Sequence, residues 1–255
     1  MIRVTVIGAC GRMAGQVTKL ISEAKDMKLV GLLEHKSHPQ IGSIIHGCKL
    51  SSDFQEIIPQ SDVFVEFTSP KALDEVLDNL SASGAPLISG TTGLSEQQFA
   101  KLKVESAKRA LLWSPNMSVG VNMLFKLTAD AANALETYDT EIVEIHHRHK
   151  QDAPSGTALR LANIIKANRN ISKTIYGRQG HTGERKSDEM AILALRGGDV
   201  AGEHTVYFLT EGERLELTHR ASSRLAFAKG SLLAIRFIVN KQPGFYQFRD
   251  ILEDK

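Results

Sequence analysis

Cysteine, aromatic residues and long apolar runs are all scarce in this 255-residue sequence, and each scarcity argues against a class of protein. Cys10 and Cys48 are the only cysteines, which is too few for a disulfide framework and gives no zinc-ligand spacing. No apolar run approaches the roughly 18 residues that a membrane-spanning helix needs, since Arg236 interrupts the best candidate. A strand pattern begins at Ile2 and leaves no space for a signal or transit peptide. We therefore expect a soluble, cytosolic protein.

A strong excess of charge of either sign is also absent, because the formal net charge is only +2. Proteins that bind nucleic acid or an acidic membrane surface carry a concentrated basic patch, and this charge balance does not predict one. The hydrophobic content of 42% is enough to bury the core of one large domain or of two smaller domains. We expect neither a nucleic-acid partner nor a membrane partner.

The first 34 residues follow the pattern of a dinucleotide-binding unit. A β-branched strand, Ile2–Ile7, leads through a glycine-rich turn into a helical pattern, and a second strand then ends at Glu34. In such units the glycines let the backbone approach a pyrophosphate, the helix N-terminus binds it, and the acidic residue accepts the ribose hydroxyls. Glu34 follows Ala14 by 20 residues, as expected. The spacing is G-x-x-G-x-x-A, so a turn that merely connects strand and helix remains the alternative.

Strands and helices continue to alternate up to Trp113, which predicts a doubly wound parallel sheet of the Rossmann type. Ligands on such sheets bind at the carboxyl ends of the strands, where small and hydroxylated residues recur, residues 68–69 among them. Any single turn of this kind has ordinary loop chemistry, but several on one edge favour a ligand. The candidate cofactor-binding residues at these ends are Gly8, Ala9, Cys10, Gly11, Arg12, Met13, Glu34, Gly90, Thr91, Thr92, Ser114, Pro115, Asn116 and Met117.

Residues 144–157, E-I-H-H-R-H-K-Q-D-A-P-S-G-T, carry the most distinctive chemistry. His146, His147, His149, Arg148 and Lys150 follow an apolar strand pattern and precede a helix start. Histidine and lysine are readily tuned to transfer protons near neutral pH, and helix N-termini attract anions. The segment therefore predicts a site for an anionic small molecule. The alternatives are a solvated basic strand end and a metal site, and no cysteine or acidic cluster accompanies the histidines to support the metal site.

The spacing within this segment imposes one geometric condition. In a fully extended strand His146 and Lys150 would lie about 13 Å apart, at about 3.3 Å per residue. Both side chains can contact one small substrate only if the chain bends after His147. The remaining histidines, including His181 and His204, are interpreted as structural or surface residues.

After Met117 the pattern changes. A long amphipathic helix (residues 120–138), a strand (141–147) and a helix (155–168) precede a polar loop (176–188) and three strand-like segments with short turns. This order predicts a second, α+β domain with a mainly antiparallel sheet. We predict a dinucleotide-binding domain over residues 1–117 and 227–255 and a second domain over residues 118–226. A nucleotide-binding half with a second anion-binding, proton-transferring half is the layout of a dehydrogenase or reductase.

Several segments resemble the bacterial dihydrodipicolinate reductase family, in order, along essentially the whole chain. They include G-A-C-G-R-M (residues 8–13), G-T-T-G (90–93), N-M-S-V-G-V-N (116–122), G-H-T-G-E-R (180–185) and R-G-G-D-V-A-G-E-H-T-V (196–206). The histidine-lysine segment at 144–159 is the most specific of them. The resemblance implies reduction of 4-hydroxy-tetrahydrodipicolinate to tetrahydrodipicolinate with NADH or NADPH, in diaminopimelate and lysine biosynthesis.

The resemblance also implies roles for individual residues. His146 would donate or accept a proton, Lys150 would be a second proton donor, and His147, Gly156 and Thr157 would bind the substrate. The C-terminal segment would return to the nucleotide-binding domain. The second domain would bind the substrate, and its sheet would build a homotetramer.

This chain departs from the family pattern at two places. Ala14 occupies a position where the family usually has glycine. We expect its methyl group to tighten helix–strand packing without abolishing cofactor binding. Glu34 is followed by His35 and Lys36 where an arginine is common; Glu34 favours the free ribose of NADH, and the two cations attract the 2′-phosphate of NADPH. We expect both cofactors to be used, with a lean to NADH.

Two other interpretations remain open from the sequence. One is a non-catalytic nicotinamide sensor, which would need a partner-binding module that no segment supplies. The other is a different two-domain dehydrogenase that acts on a small carboxylated substrate.

Overall fold

The computed structural model describes residues 1–254, which divide into two compact units. Unit 1 comprises Met1–Val119 and Leu225–Lys255, and unit 2 comprises Gly120–Arg224. The predicted limits, residues 1–117 and 227–255 for the first domain, fall close to these. No helix among residues 1–254 is both long enough and apolar enough to cross a membrane.

Unit 1 is built on a sheet of eight strands with helices between them. The strands are β1 (Ile2–Ile7), β2 (Met27–Leu33), β3 (Ile44–Ile45), β4 (Cys48–Ser51), β5 (Val63–Glu66), β6 (Leu87–Ser89), β7 (Ala110–Trp113) and β13 (Gly244–Tyr246). The helices are α1 (Arg12–Glu23), α2 (Phe54–Ile57), α3 (Pro70–Leu80), α4 (Glu96–Ser106), α7 (Leu225–Ile238) and α8 (Phe248–Glu253).

The strand order is β13-β7-β6-β5-β1-β2-β4-β3, and every neighbouring pair except β3–β4 is parallel. The predicted doubly wound parallel sheet is confirmed. The chain places β2 on one side of β1 and β5 on the other, so the order reverses at β1, where ligands of such sheets bind. The short strands β3 and β4 were not predicted, because neither is long enough to show a periodic pattern.

Local signals account for several elements of unit 1. Pro70 is the first residue of α3. Proline is tolerated there because an N–H at this position has no partner within the helix, so its absence costs no hydrogen bond. Ser95 and Gln98 form a reciprocal capping box at the start of α4. Val63 and Val65 face one hydrophobic core whereas Phe64 faces another, because a parallel sheet is covered on both sides.

Unit 2 combines two helices with a second sheet. Its elements are α5 (Val119–Ala134), β8 (Asp139–His146), α6 (Gly156–Asn168), β9 (Lys173–Ile175), β10 (Glu189–Arg196), β11 (Gly202–Thr210) and β12 (Glu213–Ala221). The strand order is β12-β11-β8-β10-β9. The long pairings of β11 with β12 and β8 are antiparallel, which confirms a mainly antiparallel sheet, and β10 runs parallel to β8 and β9.

Alternate residues of β8 point to opposite faces of this sheet. Thr140, Ile142, Glu144 and His146 are buried, and Ile142 packs with residues of α5 and α6. The apolar strand pattern therefore delivers His146 to the carboxyl end of β8 as predicted. Buried polar groups at this end need hydrogen-bond partners.

Candidate functional site

The glycine-rich turn after β1 requires glycine at its first position. Gly8 has φ +75°, and a Cβ there would lie 2.5 Å from the carbonyl oxygen of Phe67. The next helix, α1, has Gly11 as its N-cap, and no side chain caps its first turn. The free N–H groups at the positive end of α1 therefore suit a pyrophosphate.

Glu34, at the end of β2, is held next to this turn by backbone N–H groups. Its Oε2 accepts a hydrogen bond from Cys10 N at 3.1 Å, and its Oε1 accepts one from His35 N at 2.9 Å. Burial and the neighbouring Glu34 carboxylate raise the pKa of the Cys10 thiol, which stays protonated at neutral pH. The carboxylate is thereby fixed where an acidic residue receives ribose hydroxyls in dinucleotide-binding units.

A cavity of about 500 Å³ lies within unit 1 at the carboxyl ends of β1, β2 and β5. The predicted residues Gly8, Gly11 and Glu34 line it, together with His35 and Lys36. Residues that the sequence analysis did not assign complete its wall: Ser52, Phe54, Phe67, Ala72, Glu75 and Val76. Four of these lie on α2 and α3, and no local pattern marks them as ligand-facing.

The turn after β6 is organised by Glu66, a fully buried carboxylate that sequence reasoning missed. Glu66 accepts hydrogen bonds from Thr68 N at 2.6 Å, from Ser89 Oγ at 2.6 Å and from the hydroxyl groups of Thr68 and Thr91. The hydroxyl of Thr91 is thus directed into unit 1, whereas Thr92 is exposed. The signal available in the sequence was one acidic residue inside the apolar strand V-F-V-E-F.

The other predicted turns also lie at the carboxyl ends of their strands, outside the wall of the cavity. Gly90 packs so closely on Phe67 that a Cβ would lie 2.1 Å from its ring. Ser114 Oγ donates to Asn116 O at 2.7 Å, and Met117 is buried in the core. Of the remaining predicted residues, Ala9 is buried, Cys10 and Met13 are half-buried, and Arg12 and Pro115 are exposed.

In unit 2, Glu144 and His146 form the centre of a buried polar cluster. Glu144 is fully buried and its carboxylate bonds to the Nδ1 of His146. Arg196 donates to both carboxylate oxygens, at 2.8 and 2.9 Å, and Ser155 N donates at 3.0 Å. Burial alone would raise the pKa of Glu144, but the hydrogen bonds from His146 and Arg196 outweigh burial and lower it to about 2. Glu144 is therefore ionised at neutral pH.

The chain bends after His147, as the spacing of His146 and Lys150 required. Lys150 N donates to His147 O at 3.1 Å and closes a turn over residues 147–150. The ammonium group of Lys150 bonds to both carboxylate oxygens of Asp152, at 2.8 and 3.0 Å. Although burial acts in the opposite direction, the bond from Lys150 lowers the pKa of Asp152. Asp152 was not predicted, and it holds Lys150 beside the start of α6.

Positive charge is concentrated around His147. Its pKa is lowered by burial and by the neighbouring Arg224, His146, His149 and Lys150. Helix α6 begins immediately after the N-cap Ser155, whose hydroxyl accepts from Ala158 N at 3.2 Å. The first two residues of α6 are Gly156, which is exposed, and Thr157, which is half-buried. The arrangement suits a carboxylate-bearing ligand.

The imidazole rings of His204 and His146 pack edge to face, with centroids 5.1 Å apart. The Nε2 of His204 is within hydrogen-bond distance of Ser155 Oγ, at 3.0 Å, and the same hydroxyl accepts a bond from Ala158 N. Burial and the neighbouring His146 lower the pKa of His204 to about 3. His204 is therefore a neutral, buried residue, in agreement with its interpretation as structural.

No group of three or more His, Cys, Asp or Glu side chains within residues 1–254 is arranged to hold a metal ion. Four residues of the unit 2 site escaped the sequence analysis: Glu144, Asp152, Arg196 and Arg224. Glu144 was detectable, because it is two residues before His146 and so shares a face of the strand. Arg196 was not, because only strand pairing brings it opposite His146.

Two sequence profiles cover almost the whole chain. The profile described as dihydrodipicolinate reductase, N-terminus, matches residues 2–117, and the corresponding C-terminus profile matches residues 120–252. The 4-hydroxy-tetrahydrodipicolinate reductase of Methanocaldococcus jannaschii is 46% identical, over 99% of this chain and 97% of its own length. The enzyme of that name from Aquifex aeolicus is 44% identical, over 98% of each chain.

Solved structures show the same fold. A dipicolinate-bound dihydrodipicolinate reductase from Paenisporosarcina superposes with a TM-score of 0.80 at 24% identity, covering 97% of each chain. An amine dehydrogenase from Mycobacterium smegmatis superposes with a TM-score of 0.60 at 12% identity, over 96% of this chain and 94% of its own. The structural likeness establishes the fold, and the sequence matches establish the family. The chain belongs to the dihydrodipicolinate reductase family.

Proposed function

We propose that this protein reduces 4-hydroxy-tetrahydrodipicolinate to tetrahydrodipicolinate with NADH or NADPH, a step of diaminopimelate and lysine biosynthesis. Relatives that are 39–46% identical to this chain over nearly its full length are named for this activity. The observation that carries the proposal is the bend over residues 147–150, which sets a cationic turn between His146 and the start of α6.

The proposed substrate is a ring with two carboxylate groups. A solved relative holds dipicolinate, a dicarboxylate of similar shape. In unit 2, Lys150, His147 and the first residues of α6, Gly156 and Thr157, are the groups proposed to bind these carboxylates. Their combined positive character offsets the loss of solvation when a doubly charged ligand binds.

The reaction replaces the 4-hydroxyl group of the ring by hydrogen: one hydride and one proton enter, and one water molecule leaves. The proton must come from a positioned acid. His146 is suited to this role because the acceptor-only carboxylate of Glu144 occupies its Nδ1, so that Nε2 is the nitrogen that gains and loses a proton. Lys150 is the second proton donor in the proposal, held by Asp152 until substrate binds.

The residues of unit 1 fit a nicotinamide dinucleotide, which supplies the hydride when bound. Gly8 and Gly11 line the cavity at the start of α1, whose uncapped N–H groups suit a pyrophosphate, and Glu34 presents a carboxylate for ribose hydroxyls. His35 and Lys36 line the same cavity and suit a 2′-phosphate. The proposal is that both cofactors bind, with Arg12 and the turns at residues 90–92 and 114–117 as further contacts.

Absorbance of the reduced nicotinamide tests the proposal. The substrate is generated in place from its precursors, and oxidation of NADH and of NADPH is followed in parallel. Substrate-dependent oxidation is the expected result. Cofactor binding without any turnover would instead support a sensor. Turnover with another carboxylated substrate alone would support a different dehydrogenase.

We also propose that unit 2 assembles the chain into a homotetramer. The side of its sheet opposite α5 and α6 carries Val143, Ile145 and Tyr207, which are half-buried, and Leu193 and Leu195, which are exposed. Apolar residues that are contiguous across three strands mark an interaction surface. Leu195→Asp should lower the mass measured by light scattering, whereas Leu159→Asp, at an exposed position on α6, should leave it unchanged.

The proposed location is the cytoplasm. Cys10 and Cys48 are free thiols, which is the usual state in a reducing compartment. Fractionation of cells that express the tagged protein tests this, and recovery in a membrane or periplasmic fraction would contradict it.

A further inference from the structure

We infer that Glu144 and Arg196 are positioning residues for His146 and that they couple this imidazole to Lys150 and to the start of α6. The inference rests on the proposed function, because it assigns His146 and Lys150 to proton transfer. It concerns residues behind the substrate-binding surface, which reach the reaction only through their neighbours.

The Glu144 carboxylate joins three separate segments of unit 2. It bonds to His146 on the same strand, to Arg196 at the end of β10, and to the N–H of Ser155, the N-cap of α6. Strand pairing sets Arg196 directly beside His146. The proton-transferring imidazole and the proposed carboxylate-binding helix start are therefore tied to one buried side chain.

Arg196 extends this connection to Lys150. Its Nη2 donates to the carbonyl oxygen of Asp152 at 2.8 Å, and the side chain of Asp152 bonds to the ammonium group of Lys150. Arg196 thus bonds to Glu144, the partner of His146, and to the backbone of Asp152, whose carboxylate holds Lys150. Both proposed proton donors are held in place by the same arginine.

Arg196 also compensates the charge of Glu144 when His146 loses its proton during the proposed reaction. A buried carboxylate whose sole counter-ion is a histidine loses that counter-ion each time the imidazole gives up its proton. An unpaired buried charge is strongly unfavourable. The guanidinium group of Arg196 bonds to both oxygens of Glu144, so the carboxylate remains compensated whether His146 is neutral or cationic.

Glu144 further determines which nitrogen of His146 reacts. An ionised carboxylate only accepts hydrogen bonds, so the Nδ1 of His146 must carry a proton. In the neutral imidazole Nε2 is then the basic nitrogen. Without the carboxylate both neutral tautomers would be populated, and part of the protein would hold its proton on the wrong atom.

Glu144→Gln tests the inference, with Glu141→Gln as the matched control. Glu141 lies on the same strand and accepts hydrogen bonds from Arg178 and Arg185, away from His146. For Glu144→Gln we expect kcat to fall by about 10²–10⁴-fold, as in other sites where the partner of a catalytic histidine is lost, with KM changed by less than about threefold. Glu141→Gln should keep both constants.

Nitrogen-15 NMR of labelled histidine provides a readout that needs no substrate. The wild type and Glu141→Gln should show His146 protonated at Nδ1 in its neutral form, and Glu144→Gln should show a mixture of tautomers. A folded Glu144→Gln protein with wild-type kcat or an unchanged tautomer would overturn the inference. Equal losses of kcat in Glu144→Gln and Glu141→Gln would also overturn it, because they would indicate a structural role only.

Arg196→Lys is the second variant, for the case in which Glu144→Gln does not fold. Lysine keeps one positive charge but not the paired bonds to Glu144 and the contact to Asp152. The expected result is a fall in kcat of about 3–30-fold with the wild-type tautomer retained, and an unchanged kcat would contradict the role of Arg196. If the wild type shows no turnover, the proposed function fails, whereas the NMR comparison still tests the role of Glu144.

Discussion

Gly202 lies directly against the Nε2 of His146: a Cβ on residue 202 would be 3.0 Å from that nitrogen. Gly202 is the first residue of β11, the strand that pairs antiparallel with β8. Its φ of +155° is also one that side-chain-bearing residues rarely adopt. The absence of a side chain at residue 202 therefore leaves room beside the nitrogen that the proposed mechanism uses.

Gly202→Ala should reduce catalysis more than it reduces stability. The added methyl group crowds Nε2, and a displacement of catalytic groups by about 1 Å costs on the order of 10²-fold in rate. We expect kcat/KM to fall by about 10–100-fold in steady-state assays. Gly212→Ala is the control, since Gly212 also has a positive φ, +83°, but nothing lies within 4 Å of its Cβ position. Similar losses in both variants would assign the effect to backbone strain.

His146→Gln should remove proton transfer while leaving the nucleotide site intact. Glutamine keeps a polar side chain of similar reach but has no titratable group. Loss of a general acid predicts a decrease in kcat of about 10²–10⁴-fold. Titration of NADH fluorescence should give nearly wild-type affinity, because His146 belongs to unit 2 and the cofactor residues to unit 1. Near-normal turnover would refute the role of His146.

Glu34→Ala should weaken the binding of NADH more than the binding of NADPH. The Glu34 carboxylate is held by Cys10 N and His35 N and is the group proposed to accept the ribose hydroxyls. NADH presents both hydroxyls, whereas NADPH carries a phosphate in place of the 2′-hydroxyl. Lys36→Ala should weaken the binding of NADPH more than the binding of NADH, because it removes a cation that suits the 2′-phosphate. Dissociation constants of both cofactors for both variants decide the question. An equal loss of both cofactors in Glu34→Ala would show that Glu34 does not contact the ribose.

His204 should make the stability of the protein fall in acid. Burial lowers its pKa from 6.5 to about 3, so between these pH values the unfolded chain binds a proton that the folded chain does not. The free energy of unfolding therefore decreases as the pH falls through this window, and is unaffected by His204 above it. Charged and titratable neighbours of His204 are His146, Glu144, His219 and Lys150.

His204→Gln removes this titration while keeping a side chain that can form a hydrogen bond with the Ser155 hydroxyl. Between pH 6.5 and 5 the wild type should lose about 2 kcal/mol more unfolding free energy than the variant, since one pKa unit corresponds to about 1.4 kcal/mol. Urea denaturation at the two pH values measures this difference. The same pH dependence in both proteins would show that His204 does not titrate in this window.

Local pattern in the sequence was sufficient for the order of elements and for the ends of the strands. The alternation of apolar strands and helices predicted the parallel sheet, and Glu34 and His146 were correctly placed at the ends of β2 and β8. The bend after His147 was a condition for His146 and Lys150 to contact one substrate, and the structure contains that bend. These features depend on residues close together in sequence, whose periodicity is set by backbone geometry.

The partners of the buried carboxylates were decided only by the tertiary structure. Arg196 is 52 residues from Glu144, and His204 is 49 residues from Ser155. Thr91 reaches Glu66 across 25 residues. These contacts exist because β8 lies between β10 and β11, and β5 lies beside β6, and strand order is not contained in any local pattern. The sequence by itself determined where His146, the proposed proton donor, lies on its strand; the pairing of strands determined which charged groups hold it there.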